Sequence, residues 1–169
     1  FVDEFNFIQP GINMALHSVL DDRRQLEVLE LSQEPIKAHD DFMFIAAMNE
    51  GDEYRGAFEL NQATKRRFDL IIRFDYLKEK EEVKVLMKKS GVNNKRRARK
   101  IVSVLNMCRQ LKEKDELLNP ADTGTGIDWL KYSEEIGVKE AAKYTILETI
   151  PQDQEERKII KEQIRLQFG

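Results

Sequence analysis

The chain has 169 residues, of which 41% are hydrophobic and 35% are charged, a composition that suits one ordinary globular domain or a small domain with an appendage. Its formal net charge of −3 gives no global field that favours nucleic acid or an anionic membrane. The single cysteine, Cys108, excludes an intrachain disulfide, and no apolar stretch approaches the ~20 residues of a membrane span, so we expect a soluble, cytoplasmic protein.

The first 75 residues predict alternating strands and helices. In chain order we expect a strand end at residues 1–4, a helix from Pro10 to Leu20, a hairpin over residues 26–38, a strand over Phe42–Met48, a short helix over Leu60–Phe68 and a strand over Leu70–Phe74. The two apolar runs have strand length and no polar alternation, which is typical of central strands buried on both faces. This order predicts a parallel α/β sheet.

The pattern changes after residue 75. From there to the end, apolar residues recur at helical spacing, as in Ile101, Leu105 and Cys108 or in Ile160 and Ile164. Residues 76–169 therefore predict an all-helical bundle. The boundary near residue 76 has no flexible linker, so we expect the parts 1–75 and 76–169 to pack together.

Asp3 and Glu4 are adjacent carboxylates that directly follow the predicted strand end. Neighbouring residues on a strand point in opposite directions, so the two acids can take different tasks. In a nucleotide-hydrolysing site, one acid holds Mg²⁺ and the other activates the attacking water. Taken alone, the pair is more typical of a solvated sheet edge.

Two further polar residues stand near the ends of predicted elements: Asn49 follows a predicted buried strand, and Arg67 lies in the last turn of a predicted helix. Asn49 stands where the Phe42–Met48 strand ends, and ligands of open α/β sheets bind beyond the carboxyl ends of the strands. Arg67 belongs to the cationic run Lys65–Arg67 before Phe68. Each has an ordinary alternative: a turn asparagine for the first, an exposed helix end for the second.

Together, five segments closely resemble the AAA+ ATPases of the MoxR type. They are Phe1-Val2-Asp3-Glu4-Phe5-Asn6, Pro10-Gly11-Ile12-Asn13, Phe44-Ile45-Ala46-Ala47-Met48-Asn49, Tyr54-Arg55-Gly56-Ala57-Phe58-Glu59-Leu60-Asn61 and Arg67-Phe68-Asp69. The resemblance is specific over residues 1–75. It implies an α/β fold, namely the C-terminal half of a P-loop AAA+ parallel-sheet core over residues 1–75, followed by an all-helical lid subdomain over 76–169.

The resemblance also implies roles for single residues. Asp3 matches the Walker B aspartate that supports Mg²⁺, and Glu4 matches the glutamate that activates water. Asn49 matches sensor 1. Arg67 matches the arginine finger that reaches the nucleotide of a neighbouring subunit, which implies a homo-oligomeric ring, usually a hexamer. In the full-length protein we therefore expect ATP and Mg²⁺ as ligands, and a client protein or a von Willebrand A-domain protein as partner.

Two features depart from the family pattern. None of the eight glycines is followed by lysine, so the Walker A loop that cradles the phosphates is not among these residues. The segment Pro120–Gly126, where many AAA+ lids carry a sensor 2 arginine, contains none, although Gly126-Ile127-Asp128-Trp129-Leu130 resembles the lid. We expect the 169 residues to be part of a longer polypeptide, and to be inactive and without bound nucleotide on their own.

Two other function classes stay open. One is a protein-interaction domain derived from the AAA+ fold that naturally lacks its P-loop. The other is a nucleic-acid-binding helical protein that uses the basic run Asn93–Lys100, although this run lacks interleaved aromatic residues for base stacking. His17 and His39 have no second metal ligand at helical spacing, and we interpret His17 as structural.

Overall fold

A computed structural model describes residues 1–26, 34–49, 60–114, 116–117, 121–149 and 155–169. These residues form two compact units, Phe1–Phe74 and Asp75–Gly169. Each unit is described by itself below. Among the described residues, no helix combines the length and the apolar character that are needed to cross a membrane.

The first unit contains short elements. They are a 3-10 turn at Phe5–Phe7, helix α1 (Pro10–Leu20), strands β1 (Gln25–Leu26) and β2 (Ile36–Lys37), and helix α2 (Gln62–Lys65). Helix α1 begins with proline, whose fixed φ suits the first helical position, and it ends before Asp21 as predicted. Strands β1 and β2 pair antiparallel, which agrees with the expected hairpin. The sequence predicts the turn of this hairpin at Gln33-Glu34-Pro35; Gln33 and residues 27–32 lie outside the described residues.

The prediction that Phe42–Met48 and Leu70–Phe74 are buried strands is not confirmed. Phe42–Met48 contributes one parallel bridge, between Val2 and Ala46, and Met43 is 75% exposed. No described strand pairs with Leu70–Phe74, in which Phe74 is 91% exposed. An apolar run indicates burial, but a strand also needs neighbouring N–H and C=O groups along its whole length. The described residues do not provide such a ladder, so they contain no multistranded parallel sheet.

The second unit is helical, as predicted. Its elements are α3 (Glu79–Ser90), α4 (Lys95–Glu113), α5 (Thr123–Tyr132), α6 (Val138–Ala142), a π-helical turn that continues α6 over Lys143–Leu147, and α7 (Glu155–Phe168). Side-chain caps fix two helix starts. Asn94 accepts a hydrogen bond from the Arg97 amide, and Asp122 accepts one from the Thr125 amide. Gly91, at φ 75°, ends α3 in the left-handed conformation that glycine adopts most easily.

The core of this unit is built from the apolar faces of these helices. Its largest fully buried side chains include Leu86, Ile101, Leu105, Leu117, Trp129, Leu130, Ile146 and Ile160. The Trp129 indole donates a 2.7 Å hydrogen bond to the Val138 carbonyl, and its ring lies 5.6 Å from that of Phe168. The expectation that Trp129 and Cys108 are core residues is therefore confirmed.

Candidate functional site

Main-chain hydrogen bonds place the Asp3-Glu4 pair beside the segment that ends at Asn49. The Val2 amide donates to the Ile45 carbonyl at 2.8 Å, and the Val2 carbonyl accepts from the Ala47 amide at 2.9 Å. The Phe5 amide donates to the Ala47 carbonyl at 2.9 Å. Two segments that are over 40 residues apart in the sequence are thus held side by side, with the two acids between the contact points.

Glu4 has an unusual backbone conformation. Its φ of 51° and ψ of 42° lie in the left-handed region, which few residues other than glycine adopt. The Glu4 amide donates a 2.9 Å hydrogen bond to Asp3 Oδ1, and both side chains are exposed to solvent. Such strain costs on the order of 1–3 kcal/mol and is enriched at active sites. The two carboxylates therefore stand in a fixed local turn and are open to a ligand.

A side-chain hydrogen bond connects the two segments directly at Asn49. Asn6 Nδ2 donates to the Asn49 carbonyl at 2.8 Å. Asn6 itself is buried, whereas Asn49 is exposed. The structure therefore brings three of the four predicted site residues, Asp3, Glu4 and Asn49, to one place.

Arg67 follows helix α2 and turns back onto it. Its Nη1 donates a 2.6 Å hydrogen bond to the Ala63 carbonyl. Its Nε is buried and has no acceptor among the described residues. The hydrogen bonds of the described residues do not connect Arg67 with Asp3, Glu4 or Asn49.

Three phenylalanine rings pack together behind these polar residues. Phe5 lies edge-on to Phe44 at 5.9 Å and to Phe68 at 5.7 Å, and Phe44 lies 6.1 Å from Phe68. Phe5 follows Glu4, Phe44 opens the segment that leads to Asn49, and Phe68 follows Arg67. The cluster thus anchors all three motifs to one apolar contact, a role that the sequence analysis missed. The signal was present, since each motif carries a phenylalanine at or near its polar residue.

His17 connects helix α1 to helix α2. Its Nε2 lies 2.9 Å from Thr64 Oγ1, and the Thr64 amide donates to the Asn61 side chain, which caps α2. Burial and the positive charge of Arg67 lower the pKa of His17, whereas Asp21 acts in the opposite direction. The contact agrees with the interpretation of His17 as structural.

The donor set at Asp3 and Glu4 fits a magnesium ion that is bound together with phosphates. Mg²⁺ is usually held by one or two carboxylates plus substrate phosphates and water, rather than by a complete protein cage. Within the described part of the chain, no group of three or more His, Cys, Asp and Glu side chains converges as a metal site. Asp3 and Glu4 have the exposed oxygens that such a shared site requires.

The basic run at the start of α4 is partly used within its own unit. Arg97 pairs with Glu134 and also donates to Ser133 Oγ at 3.0 Å. Lys100 donates to the Gln167 carbonyl and lies 5.3 Å from the centre of the Phe168 ring. Lys95, Arg96 and Arg99 are exposed. Two of the five cations thus stabilise the helical unit, which weakens the case for a continuous nucleic-acid-binding surface.

Comparison with known protein families gives two adjoining matches. Residues 1–68 match the family described as AAA domain (dynein-related subfamily). Residues 82–167 match the family described as CbbQ/NirQ/NorQ C-terminal, which covers half of the chain. The Tyr54–Asn61 motif falls within the first match, although residues 51–59 lie outside the described structure.

Curated relatives match over almost the whole chain. An uncharacterized protein of Staphylococcus haemolyticus is 30% identical over 169 residues, and an uncharacterized protein of Staphylococcus epidermidis is also 30% identical over 169 residues. An uncharacterized protein of Staphylococcus aureus is 28% identical over the same length. Each match covers 99% of this chain but 62% of the relative, so the chain spans less than two thirds of the length of these proteins.

Proposed function

The chain belongs to the AAA+ ATPases of the MoxR type, within the CbbQ/NirQ/NorQ family, and on this premise we propose that it supplies the water-activating half of an ATP-hydrolysing site. Members of the AAA family bind nucleotide with Mg²⁺ in their full-length form. The activity is proposed for the complete polypeptide, because the 169 residues contain no Walker A sequence to hold the phosphates.

The observation that carries this proposal is the pairing of residues 2–6 with residues 45–49. This pairing brings the backbone around Asp3 and Glu4 next to the segment that ends at Asn49, and all three residues are exposed. Phosphoryl transfer needs little covalent chemistry from the protein and depends on positioning and charge stabilisation. Two hydrogen-bonded segments that carry Asp3, Glu4 and Asn49 are suited to such positioning.

Within this site each residue has its own proposed role. Asp3 holds Mg²⁺, which when bound neutralises charge on the phosphate oxygens. Glu4 accepts a proton from the attacking water, and Asn49 orients that water by hydrogen bonding. Glu4 has left-handed backbone angles instead of the extended angles of a strand residue, which supports a role separate from that of Asp3.

Arg67 is proposed to act on the nucleotide of a neighbouring subunit in a homo-oligomeric ring. The resemblance of Arg67-Phe68-Asp69 to the family's arginine-finger motif supports action in trans. The Nε of Arg67 is buried and has no acceptor among the described residues, so in that part of the chain the contact with Ala63 leaves the guanidinium incompletely satisfied. Residues 76–169 are proposed to be the lid subdomain, and residues 1–75 part of the nucleotide-binding core. The family resemblance further supports a chaperone-like action on a client protein.

The role of Glu4 is tested in the complete polypeptide that the gene encodes. Glu4→Gln removes the proton acceptor while leaving the Asp3 carboxylate, so nucleotide affinity should persist while turnover falls by roughly 10²-fold or more. Asp22→Asn, which neutralises an exposed carboxylate of the same unit, is the matched control and should keep the parental rate. Turnover of the Glu4→Gln protein at the parental rate would refute the assignment.

Action of Arg67 in trans is tested by mixing subunits. Arg67→Ala should lower turnover on the order of 10³-fold, and Arg66→Ala, at the exposed neighbouring position, should not. A mixture of Glu4→Gln and Arg67→Ala subunits should regain activity, because some interfaces then combine an intact Glu4 with an intact Arg67 of the neighbour. Mixed assemblies as inactive as their components would exclude a finger that works between subunits.

A further inference from the structure

Asn6 is a buried polar side chain to which the proposed mechanism gives no task. It is 6% exposed and lies in the 3-10 turn, two residues after Glu4. Burying an amide is unfavourable unless its groups are hydrogen-bonded. Among the described residues, Nδ2 has one partner, the Asn49 carbonyl at 2.8 Å, and no donor reaches Oδ1. Within that part of the chain, the hydrogen bond to Asn49 is the contact that compensates for burial of the amide.

The orientation of the amide follows from the partner. A main-chain carbonyl oxygen accepts hydrogen bonds and cannot donate them, so the atom that faces Asn49 has to be the NH₂ group of Asn6. The opposite orientation would place two oxygens against each other. The contact is therefore directional, and an isosteric aspartate cannot replace it.

Asn6 continues a row of hydrogen bonds that the main chain cannot complete. Alternate carbonyls of one segment, at Ile45, Ala47 and Asn49, accept in turn from the Val2 amide, the Phe5 amide and the Asn6 side chain. The side chain is needed for the third bond because the chain has entered the 3-10 turn. There the Phe7 amide donates to the Glu4 carbonyl and not to the segment 45–49.

We propose that Asn6 is a positioning residue that fixes the Asn49 main chain relative to the Asp3-Glu4 pair. This inference rests on the proposed ATPase function and deepens it. In this proposal Asn6 acts through Asn49 and not on the nucleotide. It sets the distance between the residue that activates water and the residue that orients it, so its loss affects the rate and leaves the affinity for nucleotide intact.

The test is a double-mutant cycle in the complete polypeptide, with Asn6→Asp, Asn49→Ala and the double variant. Loss of one directional hydrogen bond should lower kcat about tenfold, with an unchanged Kd for ATP. If Asn6 acts through Asn49, the double variant should be no slower than Asn49→Ala alone. Asn6→Ala, which introduces no charge, is measured beside Asn6→Asp and should show the same pattern.

A second readout does not depend on turnover. Hydrogen–deuterium exchange of the peptide that covers residues 44–49 should become faster in Asn6→Asp, while peptides from α4 keep the parental exchange. The proposal is overturned if exchange at 44–49 is unchanged, if kcat is unchanged, or if the losses of the two single variants multiply in the double variant. The Glu4→Gln variant distinguishes failure of the Asn6 proposal from failure of the proposed ATPase function. If Glu4→Gln is inactive and Asn6→Asp is fully active, the Asn6 proposal alone fails; if the parental polypeptide does not hydrolyse ATP, both fail.

Discussion

Arg109 donates two hydrogen bonds to the Glu82 carboxylate inside the helical unit, at 2.7 and 2.8 Å. The Glu82 side chain is 0% exposed and that of Arg109 is 7% exposed. Thr123 Oγ1 donates to the same carboxylate at 2.7 Å, and the Tyr76 ring centre lies 3.9 Å from Arg109 Cζ. The pair thus joins α3, α4 and the first residue of α5 through one buried charge cluster.

Removing one member of this pair should strongly destabilise the helical unit. Arg109→Met leaves the Glu82 carboxylate buried without its counter-charge, which costs on the order of 3–5 kcal/mol. The double variant Glu82→Leu with Arg109→Met should recover most of the loss, because it removes both desolvated charges. Urea denaturation followed by circular dichroism measures both effects.

The matched control is the exposed pair of Glu155 and Lys158 on α7, which are joined by a 2.8 Å contact. Solvent screens this pair, so Glu155→Gln should leave the denaturation midpoint unchanged. If Arg109→Met were as stable as the control, the buried pair would not contribute to the stability of the helical unit.

Gly126→Ala should destabilise the same unit for a steric reason. A Cβ at this position would lie 2.6 Å from Leu105 Cδ1 and 3.3 Å from Leu86 Cδ2, so either these buried leucine side chains or α5 would have to shift. Overpacking of this kind costs about 1–3 kcal/mol. In Gly124→Ala, on the same helix, the nearest atom is the Asp122 side-chain oxygen at 3.3 Å. That variant should stay close to parental stability, and equal thermal midpoints for the two variants would contradict the prediction.

Cys108 should react with thiol reagents only after the helical unit opens. Burial raises the pKa of its thiol to about 11, from 9.0, so the native side chain is protonated and inaccessible near pH 8. Labelling with a disulfide reagent should be slow in buffer and fast in urea. Since the folded-state pKa is the higher one, the thiol's contribution to stability is present below pH 9 and is lost as the pH rises towards 11. In Cys108→Ala, stability should decrease less between pH 9 and 11 than in the parental protein. Rapid labelling of the native protein would contradict the prediction, because it would show that the thiol is accessible.

The first unit should lose stability in mild acid through His17. Burial and Arg67 lower the pKa of this ring below 6.5, so the unfolded chain binds the proton more readily than the folded chain does. Stability is therefore fully present above pH 6.5 and decreases as the pH falls through the folded-state pKa. His17→Gln should flatten this decline, whereas His39→Gln, at an exposed position, should keep it. Exchange rates at residues 62–65, measured between pH 5 and 7.5, would show no such difference if His17 were not responsible.

The sequence predicts the helices better than the strands, and the reason is local. The spacing of Ile101, Leu105 and Cys108 defines a helix face by itself, because helical hydrogen bonds are formed within the segment. The run Leu70–Phe74 has the composition of a strand, but its pairing depends on residues elsewhere. In the site and the core, too, features with a local sequence signal were predicted and contacts between distant residues were not. Asp3, Glu4 and Asn49 were predicted from their motifs, whereas the Asn6 contact and the buried Glu82–Arg109 pair join distant positions that carry no local signal.

The packing of Trp129 against Phe168 gives the protein a natural optical label. Trp129 is the sole tryptophan of the chain, and its indole is fully buried within the helical unit. Its emission should therefore be blue-shifted in the folded state. The emission should change when the helical unit unfolds and should not report on the folding of residues 1–74. Because the ring touches the C-terminal end of α7, detachment of that helix alone should red-shift the spectrum, so the undocking of α7 can be followed by fluorescence without an added dye.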